Sequence, residues 1–228
     1  MKHITLQRNE AGRDLVLADV NGCINELNKL VDEVEFSPSD RLFLLGNSIN
    51  KGLYSYDVVD FVTMPNVYSL IGHAEVLMLT AMLKGLPTTD REIFESQWDD
   101  NGGLWRHDLH ADTLKWMNDQ ISNWPLSITI ESDRRYGLVH SEPTVDDWGK
   151  FISTEPDYRT LMGATLGQTI LQGDRDGLID NVDVVVAGHT QLARPPVWKG
   201  KCAYLNHGIV IGKKAKIYTL DELKFPSE

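Results

Sequence analysis

Residues 14–22 read Asp14-Leu15-Val16-Leu17-Ala18-Asp19-Val20-Asn21-Gly22. A short apolar run that ends on a carboxylate predicts a buried strand, and the glycine after it permits a sharp turn. Ile24 to Val34 follows, with Leu27, Leu30, Val31 and Val34 at helical spacing. The unit then repeats. Arg41-Leu42-Phe43-Leu44-Leu45 runs into Gly46-Asn47-Ser48-Ile49-Asn50-Lys51-Gly52, and a helix is expected from about Ser55 to Val62. Asn66 to Ile71 is a third strand, ending at Gly72-His73-Ala74-Glu75. Glu75 to Lys84 is helical in pattern and closes at Gly85, a suitable C-cap. Alternating strands and helices predict parallel βαβ units.

The second half changes character. Residues 86–125 are Trp-rich and mostly helical in pattern. Leu126 to Glu131 and Arg135 to His140 flank Ser132-Asp133-Arg134, which predicts a hairpin. Residues 141–180 read as loop and helix. Val182 to Val186 is an apolar strand leading to Gly188-His189, and Ala203 to Leu205 and Ala215 to Leu220 close the chain as strands. No repeat, low-complexity segment or Pro/Ser-rich linker interrupts it. The expected architecture is α/β, two packed mixed β-sheets flanked by helices, in a single domain over residues 1–228.

The composition narrows the partners. A net charge of −11 repels nucleic acid and anionic membranes at long range, so neither is expected. It leaves room for a local anion site. Cys23 and Cys202 stand alone in sequence and have no zinc-site spacing. No apolar leader follows Met1, and no run approaches a membrane span, so the expected compartment is the cytoplasm.

Five strands end in a short polar cluster: Asp19-Val20-Asn21-Gly22, Gly46 to Gly52, Gly72-His73-Ala74-Glu75, His140-Ser141-Glu142 and Gly188-His189-Thr190. Ligands of α/β sheets sit at the carboxyl ends of strands, and Asp, Asn and His gathered there can form a metal site. The order and spacing resemble the phosphoprotein phosphatase family, within the calcineurin-like metallophosphoesterases. They resemble in particular the compact bacterial and bacteriophage serine/threonine phosphatases, with diadenosine tetraphosphatases as cousins. That family reads Asp-x-His-Gly, Gly-Asp-x-Val-Asp-Arg-Gly, Gly-Asn-His-Glu, Val-His and Gly-His-Thr.

The resemblance implies roles for the matching positions. The first metal would be held by Asp19, by Asn21 in place of His, and by Asn47 in place of the bridging Asp. The second would take Asn47, His73 in place of Asn, His140 and His189. The general acid position is Ala74, and its orienting partner is Asn50. The phosphate-gripping Arg of the second motif is Lys51, and a further Arg would fall near Ala164.

The chemistry of these exchanges is plain without the family. Two divalent cations held close need an anionic bridge, and a neutral amide is a poor one. Alanine cannot protonate a leaving alkoxide, and lost acid assistance typically costs about 10²–10⁴-fold. Lysine lacks the guanidinium fork. Asp→Asn also keeps shape while removing charge that would repel its neighbours without cations.

A two-metal centre is therefore not expected. One divalent metal (Zn, Mn or Fe) at His73, His140 and His189, with Asn47 or Asp19 as an oxygen ligand, is a live alternative to an empty pocket. Glu75 and Glu142 read as helix-start and loop residues. His207 reads as a pocket or turn residue, and His107 and His110 as chance neighbours on a helix. Three functional expectations follow. The first is a pseudophosphatase that binds a protein partner or phosphorylated ligand in the vestigial cleft. The second is a phosphoesterase rebuilt around one metal. The third is an interaction protein using its outer surface.

Overall fold

The computed structural model describes residues 2–224. The first strand is β1 (His3–Gln7), which the sequence pattern does not predict. The β2 strand (Asp14–Leu17), helix α1 (Ile24–Glu33), β3 (Arg41–Leu44), α2 (Ser55–Val62) and β4 (Val67–Ser69) follow as the alternating pattern predicts. Next come α3 (His73–Ala81), α4 (Thr88–Trp98) and α5 (Ala111–Ile121). α3 starts two residues earlier than expected, at His73 after the N-cap Gly72, and ends at Ala81 with Met82 as its C-cap rather than running to Lys84 and Gly85.

The hairpin forms as β5 (Ser127–Glu131) and β6 (Arg135–Val139), paired antiparallel from Ser127↔Val139 to Glu131↔Arg135. Helices α6 (Trp148–Ser153), α7 (Tyr158–Leu166) and α8 (Thr169–Gln172) lead to β7 (Val184–Ala187). The end of the described chain holds β8 (Val197–Lys199), β9 (Cys202–Tyr204) and β10 (Tyr218–Thr219). β8 was not foreseen. Its three residues are short and half-exposed, so no periodicity marks it.

Two mixed sheets result. One runs β1-β5-β6-β7-β9-β8 and the other β10-β2-β3-β4. The strands β2, β3 and β4 are parallel neighbours, as are β6, β7 and β9. Side-chain alternation decides what each strand touches. Val16, Phe43, Leu70, Ile128, Leu138, Val184, Val186 and Ala203 share one cluster. It is drawn from both sheets and forms the layer between them. Leu15, Leu17, Leu42 and Leu44 turn the other way and join the helix-facing core with Leu27, Val58 and Met78. A strand buried on both faces needs an unbroken apolar run, which is why residues 15–17 and 42–44 show one.

The packing brings the carboxyl ends of β2, β3, β4, β6 and β7 to one rim, where the polar clusters stand. No helix of the described residues is long and apolar enough to cross a membrane.

Candidate metal centre at the strand ends

The backbone itself turns these side chains inward. Among the described residues, Asp19, Asn21, Asn47, Asn50, Lys51 and His189 adopt left-handed conformations, with φ between 49° and 74°. Only three other non-glycine residues do so (Glu35, Asn66 and Asn181). Such concentration of a costly conformation marks a site the surrounding fold enforces. Asn and Asp tolerate it best, so four of the six residues are of the type the geometry favours. The loops approach closely. A Cβ on Gly46 would lie 2.8 Å from the backbone nitrogen of Gly72 and 2.8 Å from Nδ1 of His140.

Three imidazoles meet at this rim. His73 opens α3, His140 follows β6 and His189 follows β7. Each offers one ligand atom, and these atoms lie within 4.8 Å of one another. The ring centroids are 5.1 to 5.5 Å apart. His140 is fully buried, and its Nδ1 donates to the carbonyl of Leu45 at 2.6 Å. A carbonyl can only accept, so the neutral ring carries its proton on Nδ1 and leaves Nε2 bare. That bare nitrogen faces Nδ1 of His73 at 3.4 Å. His73 Nδ1 in turn accepts from Nδ2 of Asn47 at 3.2 Å, so it is bare as well. The third ring, His189, has a buried Nδ1 with no hydrogen-bond partner. Two lone pairs in contact beside an orphaned ring nitrogen form a set that a divalent cation would satisfy.

Electrostatics keep the rings ready. Burial, then the neighbouring His189 and Lys51, lower the His73 pKa to about 3. Burial and the Lys51 charge lower His189 to about 4. His140 is held well below its ordinary value by burial and the other two rings. All three are neutral at pH 7, the form that ligates metal. Lys51 itself is exposed, on a loop whose backbone nitrogen donates to the Gly102 carbonyl.

The other positions have become a hydrogen-bond lattice. Asn47 is buried, and its Oδ1 accepts from the backbone nitrogen of Ala74 at 3.0 Å. Its Nδ2 donates to Oδ2 of Asp19 at 3.0 Å. Its neighbours fix the amide orientation, because Ala74 N–H only donates. The nitrogen of Asn47, not its oxygen, therefore faces the histidines. Asp19 is also committed: its Oδ1 accepts from the backbone nitrogen of His189 at 2.8 Å. Burial raises the Asp19 pKa to about 7, against the lowering effect of those two bonds. Asn21 turns back to donate to the carbonyl of Asp19 at 2.8 Å.

The general-acid position is also rebuilt. Ala74 is buried in one apolar cluster with Trp98 and Trp105. Asn50 Oδ1 accepts from the Trp98 indole at 2.9 Å and from the Trp105 indole at 3.3 Å, while its Nδ2 is buried without a partner. Ala164 is fully buried in α7, and no arginine stands in its place.

Some roles were not legible in sequence. Glu75, read as a helix-start residue, is fully buried, and its carboxylate accepts from the backbone nitrogens of Asn47, Ser48, Ile49 and Gly72 at 2.7–3.2 Å. It is the brace for the second and third motifs. Glu142 does the same for Thr169 and Ile170 at the start of α8. Gln168 lies 3.3 Å from Nε2 of His189, and nothing in the sequence flags it. His207 pairs with the Tyr218 hydroxyl at 2.7 Å. His107 is half-exposed against Asp99, and His110 caps α5.

No family model matches the chain. In sequence it is similar to the symmetrical bis(5'-nucleosyl)-tetraphosphatase of Aromatoleum aromaticum, 33% identical over 130 residues, covering 55% of this chain and 42% of that protein. It is also similar to serine/threonine-protein phosphatase 2 of Salmonella typhimurium, 24% identical over 151 residues, covering 61% and 64%. The match spans less than half the length of the first of these relatives. In structure it is similar to a candidate diadenosine tetraphosphatase, with a TM-score of 0.66 at 19% identity over 96% of this chain and 97% of the other. A Saccharomyces cerevisiae serine/threonine phosphatase gives 0.59 at 12% identity, over 90% and 70%. The fold is therefore the one these phosphatase structures share, two packed mixed sheets flanked by helices.

Proposed function

We propose that this chain is a phosphoesterase-fold protein that binds one divalent cation at His73, His140 and His189 and uses it, with Lys51, to hold a phosphorylated ligand or a phosphorylated segment of a protein partner. It does so without two-metal hydrolysis. The observation that carries this reading is the pair of exchanges at the heart of the site: a neutral Asn47 whose oxygen is spent on the Ala74 N–H, and a methyl side chain at Ala74 that cannot act as an acid.

A cation there would supply Lewis-acid contact to a phosphoryl oxygen. Zinc suits three imidazoles best, with manganese or iron as alternatives. The protein's own residues set the rest. Leu45 and Asn47 fix which ring nitrogens are bare. Lys51 places a positive charge at the mouth, and the Trp98–Asn50–Trp105 contact closes the general-acid slot.

The test is a metal assay on natively purified protein, paired with hydrolysis of p-nitrophenyl phosphate and diadenosine tetraphosphate. The expected result is about one equivalent of zinc, manganese or iron and no turnover above the metal-free blank, and less than a few tenths of an equivalent would overturn the cation site. Manganese-stimulated turnover that His140→Ala abolishes would overturn it. The second reading, an active one-metal phosphoesterase, draws on the likeness to the tetraphosphatases. It predicts that turnover with no more than one bound equivalent.

A further inference from the structure

We infer that the Asn47 carboxamide does the mechanical work of the bridging cation that this fold otherwise carries, and that the first cation position is closed by it. The residues present do not fit that cation. Asp19 offers two oxygens, and both are engaged, one by the backbone nitrogen of His189 at 2.8 Å and one by Nδ2 of Asn47 at 3.0 Å. Asn21 is turned onto the carbonyl of Asp19. Asn47 Oδ1 is held by the N–H of Ala74 in the first turn of α3.

The amide thus joins three pieces of chain: the loop after β2, the loop after β3 and the start of α3. A cation bridging carboxylates would join the same pieces through charge. An amide joins them through its oxygen, which accepts from Ala74 N–H, and its nitrogen, which donates to Asp19 Oδ2 and to Nδ1 of His73, so the lattice needs a carboxylate at one of positions 19 and 47 and an amide at the other. Two carboxylates in contact inside the protein repel unless a cation stands between them. Two amides set an NH2 group against another N–H, at Ala74, at His189 or between residues 19 and 47, whichever way they are turned. Asp19 with Asn47 is one of the two arrangements that satisfy the bonds to Ala74 and His189, and the other is its exchange.

This inference concerns the first position only. The Asp19 and Ala74 bonds of Asn47 stand whether or not the three histidines hold a cation, so it does not rest on the proposed function.

The test is thermal unfolding in chelator-treated buffer at pH 7.5, with and without 1 mM manganese or zinc. Asn47→Asp is expected to lower the metal-free Tm by at least about 5 °C, more than 1 kcal/mol for a chain of this size. The added cation should recover most of that loss, and the variant should bind one equivalent of metal more than wild type. The exchange Asp19→Asn with Asn47→Asp restores the bonds among residues 19, 47 and Ala74 but not the one to His73, and should regain more than half of the metal-free Tm that Asn47→Asp loses. To separate the first position from the histidines, the cation rescue of Asn47→Asp must persist in a His140→Ala background. If Asn47→Asp proves too unstable to purify, the exchange carries the test alone. Overturning results are a metal-free Asn47→Asp as stable as wild type, a rescue lost with His140→Ala, or an exchange no more stable than Asn47→Asp.

Discussion

Nδ1 of His140 donates to the carbonyl of Leu45 at 2.6 Å, and both atoms are buried away from water. This bond fixes the tautomer and aims Nε2 at His73. Removing the ring removes one ligand and strands a carbonyl. His140→Ala is expected to weaken zinc binding on the order of 100-fold or more and to cost about 2 kcal/mol in metal-free stability. Competition against a chelating dye and urea unfolding check the two effects. Unchanged zinc affinity would remove the three-histidine site from consideration.

Glu75 carries four backbone N–H groups on two oxygens with no exposure to solvent. Glu75→Gln replaces one of those oxygens with a donor that faces donors. It should cost about 3 kcal/mol, since both the bonds and the desolvated N–H groups are lost together. Denaturant midpoints measure it. A variant as stable as wild type would mean that the loop after β3 is braced by other contacts.

Restoring the missing acid alone should fail. Ala74→His places an imidazole beside Asn50, whose oxygen is already taken by two indoles and whose free Nδ2 is a donor. Nothing then accepts from the ring to hold it toward a leaving group. Hydrolysis of p-nitrophenyl phosphate by this variant is expected to stay at the blank. Turnover comparable to an active phosphatase would show that the site needs only a proton donor.

The pH dependence of metal-free stability has two opposing parts. His73 and His189 titrate near 3 and 4 in the folded chain, against 6.5 when unfolded. The unfolded chain takes up protons first, so stability is lost as pH falls below about 6.5. Asp19 acts oppositely. Its folded value near 7 against 3.8 gives stability present in acid and lost as pH rises through about 7. His140 adds to the histidine side. Three rings against one carboxyl predict a falling Tm from pH 6.5 to 5. A Tm that rises over that interval would mean the rings are not neutral in the fold.

Gly188 is needed for space. A Cβ there would sit 2.5 Å from Oδ1 of Asp19, where the His189 N–H bond is made. Gly188→Ala should destabilise the protein by about 1–3 kcal/mol and displace His189 from the cluster. Calorimetry and zinc titration together check it. An intact zinc affinity would show that the loop can move aside.

Much of the fold was open in the sequence because its signals are local. The runs at 15–17 and 42–44 are apolar throughout, and only strands covered on both faces need that. The strands expected over Asp14–Asp19 and Arg41–Leu45 therefore start where they were placed and end two residues and one residue earlier, at Leu17 and Leu44. β1 and β8 were hidden, since both are half-exposed and β1 owes its existence to β5, 124 residues away along the chain. Within the site, the exchanges at Asn21, Asn47, Asn50 and Ala74 could be read by position.

What replaced the lost chemistry could not be read that way. The sequence by itself determined which residue types stand at each strand end, and hence that a bridging carboxylate and a proton donor are missing. It also determined that three histidines remain. Only the tertiary structure decided that those histidines converge with the bare nitrogens of His73 and His140 in contact, that Asn47 joins Asp19 to α3, and that two tryptophans hold Asn50. The reason is physical. A residue's type fixes what it can donate or accept, but the direction of a hydrogen bond between loops tens of residues apart is set by the packing of the two sheets that bring those loops together.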